Sequence, residues 1–362
     1  MNRDVVRWIL TMKGLIVRHA SRTVAVCVLC LALVPQTAFA DRALTLLQQA
    51  HAAVQQQQYA QAVEMLQDAL QLYPQYAEAH HLLGIAYVSG LQQPEKAITA
   101  FKKAIAAYPN FARAHLDLAI VLQQENQIAD AEAAYQRALK LYPTFEEARL
   151  GLAGLYDQTN RPQKAIRAYE AVVEVAPTHP DALYKLAFWS KHVGNVDKAK
   201  EVLDRLLTLH PEHVAGWLLR AALAEQTGQL DAAIQAYRRA LALDPALIDA
   251  RFALGFLLQD QGKPEEAASQ FEELIRRDPK NAEAYVNLGV ILVELKRLDE
   301  AEQAYLTALS LNPKLADAHY NLGVFYQYHR NEPDKALQHY EEYLKLGGTD
   351  ERVKTLLKKA RP

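Results

Sequence analysis

Chemistry in a polypeptide needs convergent groups: a nucleophile with a base and an orienting partner, or a cluster of ligands around a metal. The histidines are the first place to look. His80 and His81 are adjacent, and neighbours on a helix diverge, so they make no ligand pair. The stretch "HPEH", His210 to His213, puts two imidazoles on one loop, but no further ligands stand nearby in the sequence to complete a metal site. Carboxylates recur at one register: Glu78, Glu147, Asp181, Asp249, Glu283 and Asp317. They read either as a negative rail for a cationic partner or as first-turn carboxylates, each favoured by about 0.3 to 1 kcal/mol through the helix dipole. Both cysteines, Cys27 and Cys30, stand in the first forty residues. The rest of the chain therefore has no thiol nucleophile, disulfide framework or thiolate metal site. No set converges, which predicts a non-enzyme with no catalytic residues, no metal and no cofactor.

The elements that would hold these residues are written in a period. Prolines stand at 74, 109, 143, 177, 211, 245, 279 and 313, at steps of 35 and then 34 throughout. A fixed period of this length is the signature of stacked repeats. Numbering each unit from the residue equivalent to Ala282, apolar residues Ala284, Tyr285, Leu288, Gly289 and Leu292 mark one face of a first helix. A break follows at position 15, held by Asn126, Asn160, Gly194, Gly228 and Gly262, types that tolerate the left-handed conformation; Lys296 is the exception. Pro94, Pro162, Pro264 and Pro333 suit the first turn of a second helix, and the recurring proline ends it. Position 20 is alanine in every unit, from Ala62 to Ala336, and position 8 is glycine or alanine. Small residues there let paired helices approach closely, with an aromatic at position 24, such as Phe101, Phe271 or Tyr305, filling the space beside them.

This joint pattern resembles the tetratricopeptide repeat: a large residue at 4, Leu at 7, Gly or Ala at 8, Ala at 20, an aromatic at 24 and Pro at 32. The resemblance covers residues 43–349 as nine units (43–76, 77–111, 112–145, 146–179, 180–213, 214–247, 248–281, 282–315 and 316–349), followed by a C-terminal capping helix over 350–362. It implies an all-α, right-handed solenoid of stacked antiparallel helix hairpins whose first helices line a concave groove. In that family position 4 is a packing slot, and it holds His80, His115 and His319, which argues against metal ligation. A subset of the family clamps a C-terminal carboxylate with lysine at position 2; this chain has acids there.

Groove positions 5, 6 and 9 carry the candidate site. Tyr184, Leu218, Phe252 and Tyr320 at position 5 join Phe188 and Phe256 at position 9 in an apolar strip, and exposed apolar patches mark binding surfaces; the competing reading packs these side chains on neighbouring hairpins. Asn287 and Asn321 at position 6 offer a donor and an acceptor to an extended peptide backbone. Mid-array, Arg220 replaces the usual leucine of position 7, and Ser190 and Ala224 replace the usual large residue of position 11. Either the Arg220 stem lies on the core with its head in water, or a loose seam lies there.

Residues 1–40 carry Arg3, Arg7, Lys13, Arg18 and Arg22 against Asp4, so the remaining chain has a formal charge of −6 rather than −2. Neither value favours nucleic acid as a partner. The apolar run Val24–Val34 is shorter than the roughly 20 residues of a spanning helix. With "AFA" at Ala38–Ala40 it predicts a signal peptide cut after Ala40, with Met1 or Met12 as start and an uncleaved anchor as the other reading. The chain thus reads as a periplasmic or secreted non-catalytic scaffold that binds a protein or peptide segment, with self-association open and membrane contact only through an uncleaved N-terminal segment. A role in assembly or export of an envelope complex or polymer is the narrower reading. The alternatives are a carbohydrate-binding solenoid and an accessory subunit of an envelope enzyme.

Overall fold

The structure is a computed structural model that describes residues 40–360. The basic lead-in, the run Val24–Val34, Cys27 and Cys30 lie outside the described residues. The chain divides into two compact units, one ending at Pro177 and one beginning at Thr178. In the first, α1 covers 40–55 and is followed by α2 (Tyr59–Leu72), α3 (Ala77–Ser89), α4 (Pro94–Ala107), α5 (Ala112–Gln124), α6 (Ile128–Leu141), α7 (Glu146–Gln158) and α8 (Pro162–Val175). The second holds α9 (Pro180–His192), α10 (Val196–Leu209), α11 (Val214–Gln226), α12 (Leu230–Leu243), α13 (Ile248–Asp260) and α14 (Pro264–Arg277). It continues through α15 (Ala282–Glu294), α16 (Leu298–Leu311), α17 (Ala316–Phe325), α18 (Pro333–Lys345) and α19 (Glu351–Ala360). No strand occurs among the described residues. Each unit is an α-solenoid of antiparallel hairpins stacked in chain order.

The turn inside each hairpin needs one left-handed residue. Gly194, Gly228 and Gly262 adopt positive φ, and so do Asn126 and Asn160. Lys296, the sequence exception, takes the same conformation with φ of 61°, because the i→i+5 bond from Arg297 N–H to Leu292 O, 2.9 Å, closes the helix end regardless of residue type. In the last hairpin the extra residue is absorbed by a π-helical turn, Tyr326–Arg330, before the left-handed Asn331. One inserted residue thus widens the helix end without shifting the apolar face.

Close packing follows from the small positions. The position-20 alanines from Ala62 to Ala301 are wholly buried, and Ala336 is nearly so. A methyl added to Gly255 would stand 2.7 Å from Phe271 Cζ, and one on Gly289 would stand 2.6 Å from Tyr305 Cε1. Glycine at position 8 is therefore the imprint of the aromatic at position 24.

Position 4 does more than fill space. Its N–H groups reach back six residues to the carbonyl of the proline that ends the preceding helix: His80 Nε2 to Pro74 O at 3.0 Å, His115 Nε2 to Pro109 O at 3.1 Å and Arg149 Nε to Pro143 O at 2.8 Å. Trp217 Nε1 to Pro211 O at 2.9 Å, Arg251 Nη2 to Pro245 O at 3.1 Å and His319 Nε2 to Pro313 O at 3.2 Å complete the series. Histidine, arginine and tryptophan share a long side chain and an N–H, so in these six units the slot supplies a donor for a carbonyl left open where the helix stops, whereas three other units hold Leu46, Leu183 and Tyr285 there. A carbonyl only accepts, so each of these imidazoles carries its proton on Nε2. Burial, outweighing the hydrogen bond to the proline, lowers the pKa of His80 and His115.

A second tie links one hairpin to the next. Glu132 on α6 accepts from Tyr156 Oη at 2.9 Å, Arg161 at 2.7 Å and Lys164 at 2.8 Å. Burial raises the Glu132 pKa, but those three hydrogen bonds outweigh it and hold the carboxyl below its ordinary range. Glu302 repeats the arrangement in the second unit, accepting from Tyr326 Oη at 2.8 Å and from Arg330 at 3.2 Å.

Candidate partner-binding face

Every residue of the predicted strip lies in the second unit, on the first helix of a hairpin: Tyr184 and Phe188 on α9, Leu218 on α11, Phe252 and Phe256 on α13, Asn287 on α15, Tyr320 and Asn321 on α17. They divide into two classes by exposure. Phe188 and Phe256, both at position 9, are 37% and 44% exposed, a large fraction for aromatic rings in a helical core. Tyr184, Leu218, Phe252 and Tyr320 are half-buried, and Tyr184 and Phe252 support the exposed rings from one turn away.

Two aromatic clusters result. Tyr184 and Phe188 have centroids 6.4 Å apart, and Phe188 stands edge-on to the buried Trp189 at 5.3 Å and stacks on His192 at 6.4 Å. The Lys185 ammonium lies 5.8 Å from the Phe188 ring. On α13, Phe252 and Phe256 stack at 6.3 Å, and both rest on the wholly buried Phe271 at 5.8 and 5.7 Å. Leu218 and Phe252 pack on one core cluster that includes Ile234, Leu254 and Phe271. Lys185 and Trp189 escape a search for apolar groove positions, although they stand three residues before Phe188 and one after it.

The asparagines are partly committed. Asn287 Nδ2 donates to Glu283 O and Asn321 Nδ2 to Asp317 O, each at 2.9 Å. One N–H of each carboxamide is thus spent on its own helix, leaving one N–H and Oδ1 to meet a partner. Tyr320 is committed further. Its ring lies 5.2 Å from Tyr343 and its hydroxyl sits between Asp350 Oδ2 at 3.3 Å and Arg352 Nη2 at 3.2 Å. Hydrogen bonds from the Arg352 side chain and backbone hold the Asp350 carboxyl far below its usual range. Tyr320 therefore ties α17 to the start of α19, whose Val353 is buried.

The position-2 acids Glu78, Glu147, Asp181, Asp249, Glu283 and Asp317 all stand exposed in first turns, where the dipole reading places them and where a cation could also meet them. The loop histidines are occupied: His210 Nε2 donates to Thr178 O at 2.7 Å, while His213 Nδ1 accepts from Gly216 N–H at 2.9 Å as a helix cap. His80 and His81 do diverge, the latter to Asp117 Oδ2 at 2.6 Å. Among the described residues no group of three or more His, Cys, Asp or Glu is placed to hold a metal. No described helix is long and apolar enough to cross a membrane.

At the mid-array irregularity, Arg220 pairs with Asp204, while its stem borders a cavity of about 40 Å³ lined with Leu203, Leu223 and Ala224. The buried Ser190 Oγ has no hydrogen-bond partner among the described residues. Both sequence readings thus describe the same place: the stem lies on the core, and the small residues leave a gap.

Stacked pairs of helices whose first members carry exposed aromatics define a repeat protein of the hairpin class. Sequence profiles described as tetratricopeptide repeats match residues 47–110, 88–144, 116–180 and 252–316, with further repeat profiles over 160–223, 226–262 and 304–338. The chain belongs to the tetratricopeptide repeat family. Among solved structures it is similar to the C-terminal part of a repeat-containing protein of Cytophaga hutchinsonii, at 17% identity over 67% of this chain and 99% of that one, with a TM-score of 0.60. It is also similar to the pilF product of Pseudomonas aeruginosa (19% identity, 59% and 97% coverage, TM-score 0.47) and to MamA (24%, 47% and 93%, 0.43). No curated protein sequence matches.

Proposed function

We propose that the chain is a non-catalytic scaffold that binds an extended or helical segment of another protein along the first-helix face of its second unit. The supporting observation is the exposure of Phe188 and Phe256 at 37% and 44% on rings braced from behind by Trp189 and Phe271. Rigid, half-exposed aromatics are the residues that anchor interfaces. Asn287 and Asn321 grip the segment backbone with their remaining amide groups, and Lys185 with the first-turn acids sets the charge it prefers. The N-terminal segment directs the chain to the periplasm or the outside, with cleavage after Ala40, where the scaffold serves assembly or export of an envelope complex.

Selection of a random peptide library against residues 41–362 tests this. Selected peptides should lose about tenfold or more in affinity to Phe188→Ala and to Phe256→Ala, each truncation removing an anchor worth more than about 1 kcal/mol. Peptides that bind both variants as well as the parent would refute the face.

A further inference from the structure

The first unit carries a feature that the groove reading does not use. Its three turns between hairpins read "YPQY", "YPNF" and "YPTF", at residues 73–76, 108–111 and 142–145. The corresponding turns further on read "APTH", "HPEH", "DPAL", "DPKN" and "NPKL", so the aromatic pair stops after the third. Tyr73, Tyr108 and Tyr142 are each half exposed, at 53%, 51% and 53%. Each is braced by the aromatic three residues on: Tyr76 at 5.5 Å, Phe111 at 6.0 Å and Phe145 at 5.4 Å. Between them stand Gln75, Asn110 and Thr144, which are polar and uncharged.

The first two of these turns flank an open cleft of about 860 Å³ bordered by α2, α3 and α4. Pro74 and Gln75 line it on one side of Tyr73 and Gln71 on the other, while Ala107 lines it next to Tyr108. Three glutamines, Gln67, Gln71 and Gln75, and Thr99 present amide and hydroxyl groups there. Among the described residues the three carboxamides have no hydrogen-bond partner. His80 also lines the cleft and is only 8% exposed. Its Nε2 proton goes to Pro74 O, so its Nδ1 is a bare acceptor, buried and without a partner. A buried unpaired acceptor costs roughly 1 to 3 kcal/mol until a donor reaches it.

We propose that this cleft, extended by the tyrosines of the turns, binds a neutral oligosaccharide strand. A sugar hydroxyl donates and accepts at once, as a carboxamide does, and the C–H face of a pyranose is an apolar plate that covers an aromatic ring while its polar edges stay free. The charges lining the cleft, Glu95 against Lys96 and Lys103, leave a single net positive charge, and the Lys96 ammonium already stands over the Tyr87 ring at 5.7 Å, so an acidic polymer gains little. One platform per hairpin, at the 8 to 10 Å or so that separates packed helices, suits a chain ligand whose successive units are captured in turn. This site is independent of the peptide-binding face, since no residue of one belongs to the other.

Calorimetric titration of the mature chain with cellohexaose, chitohexaose, maltohexaose and a hexameric uronate, and with a proline-rich peptide as the competing aromatic-row ligand, decides the matter. At least one neutral hexasaccharide should bind; Tyr108→Ala should weaken it about fivefold to tenfold, the triple Tyr73→Ala, Tyr108→Ala, Tyr142→Ala should abolish it, and Phe188→Ala with Phe256→Ala should leave it unchanged. Gln71→Leu, an exposed change on α2, should weaken it as well and guards against a triple variant that fails to fold. Binding of none of the neutral probes, binding of the uronate or the peptide alone, or full binding by the triple variant and Gln71→Leu would overturn the proposal.

Discussion

Single residues in this chain answer to backbone needs as often as to packing. Lys296 occupies a left-handed position, at φ 61°, that most of its counterparts fill with glycine or asparagine, Gln57 and Gln92 being the others, and an ordinary side chain there costs about 1 to 2 kcal/mol. Lys296→Gly should therefore raise stability by roughly 1 kcal/mol in denaturant unfolding, and a loss would mean that the lysine side chain stabilises the turn. The position-4 donors lead to a pH dependence. His80 and His115 have folded-state pKa values lowered chiefly by burial, so the folded chain binds fewer protons than the unfolded one. Their contribution is present above the unfolded histidine value of about 6.5 and is lost as pH falls through it. Glu132, held low by its three donors, adds a second loss below about pH 4.5. Melting temperature followed from pH 7.5 to pH 4 should fall in that order; a flat profile through the histidine range would contradict the buried neutral imidazoles. Sequence alone shows position 4 as a packing slot, because the proline carbonyl it serves is a group that every residue carries and no residue type announces.

Elements were legible where a period writes them. The alternation of a small position 8, alanine 20 and aromatic 24 gives both helices of each hairpin and the faces they bury; Gly289 lies against Tyr305, and Ala301 is wholly buried in the core cluster that holds Tyr305. Ala301→Leu should overpack that contact and cost roughly 1 to 3 kcal/mol, read as a lowered unfolding midpoint. The π-helical turn at Tyr326–Arg330 was not legible, since one extra residue can be absorbed in several ways and its sequence favours none. At the mid-array gap the opposite change should help. Ala224→Leu restores the residue type of Leu258 and Leu292 and fills the cavity of about 40 Å³, which at about 24 cal/mol per Å³ corresponds to roughly 1 kcal/mol. A lower midpoint for that variant would show that Arg220 needs the space.

At the level of the molecule, stability in a stacked array is close to a sum over neighbouring hairpins, which leaves exposed first-helix side chains free to serve a partner. The sequence alone could not divide the predicted aromatic strip by exposure. Phe188 and Phe256 are exposed, whereas Tyr320 is drawn into the Asp350–Arg352 contact because α19 packs on α18 and brings both residues to the Tyr320 hydroxyl, a contact that periodicity does not encode. The asparagines likewise spend a donor on their own helix. The most direct test is site-specific photocrosslinking in the native compartment, with the probe at position 188, at position 256, or at the exposed Gln235 on α12. The account predicts one discrete protein adduct shared by the first two positions and absent from the third. Adducts from Gln235 alone, or equal adducts from all three, would contradict it.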